Sequence, residues 1–157
     1  MARNYDSIDW DFTWDGDLAR DSSGDILDTS TDMLLSLRNE IFTIVKSDLG
    51  DWREESSVGS DLGDFVGESN TKDTAIAIQE RVSNSLTIIC SSNDINVRVI
   101  PTGTHKVLIN IQVQVLATQQ NGLKSGDTLL VSFLYDYFER GTFVPLEEMH
   151  KFNSRNI

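Results

Sequence analysis

The chain has 157 residues and a formal net charge of −12. This length fits one domain with one core, since a chain of about 150 residues buries roughly 70% of its unfolded surface. A single cysteine excludes an intrachain disulfide, no apolar run is long enough to cross a bilayer, and the first residues lack a secretory signal pattern. We therefore expect a soluble protein of a reducing compartment, with Cys90 as an inert, buried thiol.

The excess negative charge lies entirely in the first half of the chain. Residues 1–68 contain 17 acidic and 5 basic side chains, whereas residues 69–157 contain 8 of each. Nucleic-acid-binding proteins concentrate positive charge, so we expect no nucleic-acid partner. The acidic half either attracts a basic protein partner or forms a solvated surface that keeps the chain soluble, and the sequence leaves both open.

Alternating apolar residues open the chain. Ile8, Trp10, Phe12 and Trp14 fall on one face, with Asp or Thr between them, which predicts a half-buried strand. Turn residues then indicate an extended arm or a hairpin. The aromatic face can anchor on this domain or on another chain, and the sequence does not distinguish the two.

A helix is predicted from Thr29 to Lys46. Thr29 or Ser30 suits the N-cap, and Gly50 suits the C′ position after the helix, where the backbone is often left-handed. The apolar positions recur every three or four residues and form one face, made of Met33, Leu34, Leu37, Ile41, Ile44 and Val45.

A polar loop follows this helix, and it contains Trp52, a bulky side chain outside regular structure. Ser57 or Ser60 is expected to cap a short helix through Phe65. That helix is expected to bury Val58, Leu62, Phe65 and Val66. The glycines of this segment weaken intrinsic helicity and favour close approach of a neighbouring backbone; they are Gly59, Gly63 and Gly67.

A second helix is predicted from Asn70 or Thr71 to about Leu86, with Ala75, Ile78, Val82 and Leu86 on its apolar face. The period then changes to two, which predicts an antiparallel meander with strands at 95–99, 108–116 and 128–138 and a short edge strand at 143–145. Helices followed by strands indicate an α+β fold. We divide the chain into an acidic strand and arm (1–28), an α+β domain (29–146) and a polar tail (147–157).

No catalytic, cofactor or metal site is predicted. The two histidines, His105 and His150, fall in a turn and in the polar tail, and one cysteine with two distant histidines does not supply a zinc site. The early aspartates lack the spacing of a calcium loop. The carboxylate pairs stand in polar loops rather than in apolar surroundings that raise the pKa of a catalytic acid.

The order of these elements resembles a known family, the baseplate wedge or sheath-initiator proteins of contractile phage tails, once labelled lysozyme-like. Leu49-Gly50-Asp51-Trp52-Arg53 stands where that family has a Thr-x-x-Gly-Glu-Arg-like loop after its first helix. Ser57–Leu62 stands where a Pro-x-Phe-Gly-like segment follows. Ser91–Asp94 occupies the place of the Glu-Pro-Arg motif that follows the second helix in many members.

The resemblance implies a structural role rather than an enzyme activity. It implies a virion protein of the tail baseplate, assembled in the host cytoplasm and present in multiple copies of a sixfold assembly. Its partners would be other wedge proteins, the tail sheath protein and hub, spike or tube proteins, with strand addition at an open sheet edge joining the chains. The candidate interaction residues are Trp10, Phe12, Trp14, Gly50, Trp52, Arg53, Gly59, Leu62, Tyr135, Tyr137 and Phe143.

Two other functions remain open at this stage. One is a different virion or tail adaptor that binds a basic protein partner through the acidic first half. The other is a carboxylate-based hydrolase, which an assay on peptidoglycan would detect.

Overall fold

The structure, a computed structural model, describes residues 10–12, 17–29, 32–90, 94–115, 127–136, 138 and 142–145. It confirms the α+β fold: two helices cover one face of an antiparallel sheet. The helices are α1 (Met33–Lys46) and α2 (Lys72–Leu86), with a 3-10 helix (Leu62–Phe65) between them. The strands are β1 (Ile95–Pro101), β2 (Lys106–Val115), β3 (Asp127–Asp136) and β4 (Thr142–Pro145).

Helix α1 begins later than the sequence pattern suggested. Its N-cap is Asp32, whose carboxylate accepts a hydrogen bond from the backbone N–H of Leu35, so neither Thr29 nor Ser30 is the cap. A carboxylate satisfies a free N–H and also complements the positive end of the helix dipole, which explains the shift. The helix ends at Lys46, with Ser47 as an extended C-cap. Gly50 is therefore not C′ but lies in the turn that follows, with φ +91°.

Helix α2 matches its predicted bounds. The Thr71 hydroxyl accepts from the backbone N–H of Thr74 and caps the first turn. The predicted apolar face is buried in full, and it packs mainly on β1. The prediction held because the three-and-four spacing and the cap are both local properties of this segment.

The sheet is a four-stranded meander in the order β1-β2-β3-β4. Ile109 of β2 faces Val99 of β1 and Phe133 of β3 across the two ladders. The Phe133 ring meets Phe42 of α1 edge-on, with 5.0 Å between ring centroids. The predicted alternation is the observed burial pattern in β2, and β3 follows it except at Ser132, which is also buried. The face toward the helices forms the core with Val97, Val107, Ile109, Ile111, Val113, Val131, Phe133 and Tyr135.

The segment between the helices is shorter and less buried than predicted. Only Leu62–Phe65 is helical, and its first residue follows Asp61, a left-handed residue whose side chain makes no cap. Val58 and Leu62 are buried as expected, but Val66 is exposed because the helix has already ended there.

Two further observations concern Cys90 and the length of the helices. Cys90 is partly buried and packs against the core, rather than lying fully inside it. Within the part of the chain that the structure describes, no helix is both long and apolar enough to span a membrane.

Candidate interaction surfaces

The aromatic face of the N-terminal arm points away from the domain. Trp10 is 40% exposed and Phe12 is 49% exposed, whereas Asp11 between them is only 6% exposed. A half-buried strand was predicted, with its aromatic face anchored either on this domain or on another chain. The polar side of the arm is the buried one, and much of both aromatic rings is exposed.

A polar contact explains this orientation. The Asp11 carboxylate accepts from the Arg38 guanidinium at 3.2 Å and from the Asn39 amide at 2.9 Å, both on α1. Backbone hydrogen bonds then join Asp11 to Ala19 and to Leu27, which holds the arm together. Because neighbouring residues of a strand point in opposite directions, burying Asp11 turns Trp10 and Phe12 outward.

The tip of the arm is a turn built on Asp21. Its carboxylate accepts from the backbone N–H of Ser23, the Ser23 hydroxyl and the backbone N–H of Asp25. The Ser23 hydroxyl is the main cause that lowers the pKa of Asp21. These bonds use the carboxylate as a turn acceptor. Among the described residues, no group of His, Cys, Asp and Glu side chains is arranged to hold a metal ion.

The loop after α1, residues 47–60, is closed at its base by a close backbone contact. Ser60 donates its N–H to the Ser47 carbonyl at 2.8 Å and its hydroxyl to the Val45 carbonyl at 2.7 Å. Gly59 lies against Asp48, and a Cβ on Gly59 would stand 2.5 Å from the Asp48 carbonyl carbon. The predicted close backbone approach is therefore confirmed at Gly59, and the spacing to Gly63 and Gly67 has no such role.

Trp52 stands on the surface of this loop in a fixed orientation. Its side chain is 47% exposed, and its indole N–H donates to the Ser47 hydroxyl at 2.9 Å. The Ser47 hydroxyl in turn donates to the Thr43 carbonyl at the end of α1. The loop is thus tied to α1, and the ring forms a wall instead of folding into the core.

An open groove of about 500 Å³ runs beside Trp52. We call it the Trp52 groove. Its apolar lining comes from α1, from the 47–60 loop and from the turn after α2, and its charged residues include three glutamates and one arginine. The lining residues are Glu40, Thr43, Ile44, Trp52, Arg53, Glu54, Glu55, Val58, Ile88 and Ile89.

Carboxylates crowd the other side of the loop. Partial loss of hydration raises the pKa of Asp48, and the neighbouring charges of Asp51, Asp61 and Asp64 raise it further. Arg81 of α2 partly offsets this repulsion, since its guanidinium lies 3.3 Å from Asp61 and 3.5 Å from Asp64.

α2 shields part of one edge of the sheet. The β1 backbone N–H of Val99 points away from β2 and donates to the Gln79 side chain of α2 at 3.3 Å. Pro101, which faces the same way by the alternation of the strand, has no N–H to offer. These two positions of β1 are therefore poorly suited to pairing with a partner strand.

Among the described residues, β4 covers only part of the opposite edge. The Gln114 N–H donates to the Asp94 carbonyl beside β1. Even-numbered residues of β2 therefore direct their backbone N–H and C=O groups toward β1, and odd-numbered residues direct theirs toward β3. In β3 the backbone groups of the even-numbered residues then point away from β2. β4 pairs only with Phe133–Asp136, so no described strand pairs with the outward backbone groups of Thr128, Leu130 and Ser132. We call these three residues the β3 edge; its Leu130 side chain is 48% exposed.

The predicted interaction residues divide into surface, core and residues outside the description. Trp10, Phe12, Gly50, Trp52 and Arg53 lie on the surface. Gly59, Leu62 and Tyr135 are buried instead, and the Tyr135 hydroxyl donates to the Leu62 carbonyl at 2.5 Å. Phe143 pairs its backbone with Tyr135 in β4. Trp14 and Tyr137 lie outside the described residues.

Ile88 and Asp11 were not predicted as site residues. The turn after α2 places Ile88 on the surface and Ile89, which continues the apolar face of α2, against the core. Asp11 was placed on the polar face of its strand, and that face is the buried one. Neither role could be recognised locally, because each depends on a partner element far away in the sequence.

The histidine available for description lies at the surface. His105 is exposed in the turn between β1 and β2, and its ring stacks on Phe138 with 5.0 Å between centroids. His150, assigned to the polar tail, is outside the described residues.

Comparisons of the chain with family models, with curated proteins and with solved structures find no match.

Proposed function

We propose that this protein is a structural component of a contractile phage tail baseplate, a wedge protein or sheath initiator. Its task is to join the baseplate to the first ring of sheath protein through protein–protein contacts. The observation that carries the proposal is the β3 edge. β4 ends before it reaches these residues, and no described strand lies beside them.

Such an edge suits strand addition. An incoming extended segment would pair its backbone with the outward N–H and C=O groups of the β3 edge, and its alternate side chains would give the register. Gln79 and Pro101 make part of the β1 edge a poorer template than the β3 edge, which favours approach of a partner strand to β3. A rigid two-helix layer behind the sheet supports this edge and transmits force from the baseplate to the sheath.

The order of elements is the second support. A helix, a loop containing Gly50-Asp51-Trp52-Arg53, a short glycine-containing segment, a second helix and an antiparallel meander follow one another as in the wedge proteins that the sequence resembles. The fold alone hosts many functions, so the experiment must address the contact itself.

The test is co-assembly with the sheath and wedge proteins encoded beside this one, followed by electron microscopy. We expect this chain between the baseplate and the first sheath ring, with a sheath strand paired to the β3 edge. A compact monomer that binds neither protein, or a position elsewhere in the particle, contradicts the proposal.

A pair of variants isolates the backbone contribution. Leu130→Pro removes an outward N–H without touching the bonds of β3 to β2, so we expect loss of sheath binding with the fold retained. Leu130→Thr keeps the N–H and removes the exposed apolar group, so it should still bind. Circular dichroism and thermal unfolding check that both variants are folded, and equal binding by the two variants would exclude pairing at Leu130.

A second candidate function is a tail adaptor that binds a basic partner through its acidic first half. The outward aromatic rings of the arm favour it, because Trp10 and Phe12 stand exposed in an aspartate-rich segment. The double variant Trp10→Ala/Phe12→Ala separates the candidates in the same assembly assay: an adaptor loses its partner, whereas a strand-addition initiator still binds sheath.

A further inference from the structure

The Trp52 groove has the anatomy of a protein-docking site. Its floor is apolar, since Ile44 and Val58 are buried beneath it. Its walls are two large exposed apolar side chains, Trp52 and Ile88. An apolar centre with a charged rim is typical of a protein interface, and tryptophan is among the residues that most often dominate interface energies.

The walls of the groove are already in place without a partner. The indole N–H of Trp52 is held by the Ser47 hydroxyl, and the loop around it is closed by the hydrogen bond from the Gly50 N–H to the Ser56 carbonyl at 3.1 Å. A fixed ring loses less conformational entropy on binding than a mobile one. The hydrogen bonds of the loop therefore hold the Trp52 ring on the surface.

The rim determines the chemistry of the occupant. Glu40, Glu54 and Glu55 line the groove together with one arginine, Arg53, and Glu54 and Glu55 are exposed. The first half of the chain, to which these residues belong, also carries the whole excess of negative charge. A negative rim around an apolar floor attracts cations and rejects acidic segments.

We propose that the Trp52 groove binds a basic, amphipathic peptide segment of another protein. The segment places a bulky apolar side chain between Trp52 and Ile88 and its lysines or arginines against Glu54 and Glu55. This contact is separate from the β3 edge and does not rest on strand addition, so either can fail without the other.

The test uses three synthetic probes on the full-length chain: a short leucine–lysine peptide, the same peptide with glutamate for lysine, and the same peptide with serine for leucine. Calorimetry measures affinity, and the indole N–H resonance of Trp52, assigned with Trp52→Phe, reports the site. We expect the leucine–lysine peptide to bind and shift that resonance, and the other two to bind at least about tenfold more weakly.

A charge-matched pair of variants separates a site from general attraction to an acidic protein. Glu54→Gln/Glu55→Gln removes two rim charges, and Glu68→Gln/Glu80→Gln removes two exposed charges that do not line the groove. We expect the first to weaken leucine–lysine binding severalfold at low salt, and the second to weaken it less than about twofold. Trp52→Ala should weaken it by about tenfold or more.

Three results would overturn the proposal. They are no binding of the leucine–lysine peptide, equal weakening by the two charge-matched variants, and equal binding of the lysine and glutamate peptides. If Trp52→Ala does not fold, the resonance shift and the glutamine variants still decide, because neither removes a wall of the groove.

Discussion

At the residue scale, the molecule depends on a few positions where one atom decides the local structure. Gly59 is the clearest of them. Its φ is +145°, and the space where a side chain would begin is filled by the backbone of Asp48. Gly50 also has a positive φ, +91°, but nothing lies within 4 Å of its Cβ position. A substitution at Gly50 therefore tests backbone strain alone, whereas a substitution at Gly59 tests strain and steric clash together.

We predict that Gly59→Ala destabilises the protein by about 2–3 kcal/mol, since overpacking against backbone adds to the strain of a positive φ. Gly50→Ala should cost about 1 kcal/mol, from strain alone. Gly50→Val should cost more, because a β-branched residue is poorly suited to a positive φ. Urea unfolding measures all three, and equal costs for the two alanine variants would show that the Gly59 contact yields without penalty.

Asp48 is the second residue with a specific consequence. Its pKa is raised in the folded state by lost hydration and by Asp51, Asp61 and Asp64, so the folded chain holds this proton more tightly than the unfolded chain does. The ionised carboxylate therefore destabilises the fold at neutral pH. That penalty disappears as the pH falls through the raised pKa and the carboxyl becomes neutral.

We predict that Asp48→Asn is more stable than the natural protein at pH 7, by less than about 1 kcal/mol because the side chain is exposed and screened. The difference should shrink with added salt and disappear in acid below the unfolded pKa, where Asp48 is neutral in both states. Thermal unfolding of the two proteins across this pH range checks it. A loss of stability at pH 7 would mean that the charge of Asp48 is favourable in this loop.

At the element scale, the arm is held to α1 by the buried carboxylate of Asp11. The alternation in this arm is visible in the sequence, which left open whether the aromatic face anchors on this domain or on another chain. Aromatic rings are usually the buried side of such a strand, and here Arg38 and Asn39 of α1 supply the partner that reverses it. Strands β1 to β4 were located well, because apolar alternation over a long run is decided within the run itself.

We predict that Asp11→Ala releases the arm, because it removes the acceptor for both α1 side chains. Amides that join the arm, such as those of Ala19 and Leu27, should exchange with solvent much faster. Stability should fall by about 2 kcal/mol. Asp25→Ala removes the same charge at the arm tip and serves as the control. Unchanged exchange in the Asp11 variant would show that the arm is held by other contacts.

At the scale of the whole molecule, the described residues form a helix layer behind a sheet, with one edge partly shielded by α2 and the other partly covered by β4. The α+β class and the order of helices and strands followed from the periods of the sequence. The Trp52 groove did not, because it combines the end of α1, the 47–60 loop and Ile88 after α2. The β3 edge could not be predicted either, because the hydrogen-bonding register of the strands decides which backbone groups of β3 face away from β2.

The measurement that tests the central claim most directly is amide hydrogen exchange along β3, with and without the sheath protein. In the free protein, Leu129, Val131 and Phe133 should be protected by β2, and Thr128, Leu130 and Ser132 should exchange rapidly. Addition of sheath protein should protect these three amides. If they are already protected in the free chain, or stay exposed in a formed complex, the β3 edge does not receive a partner strand.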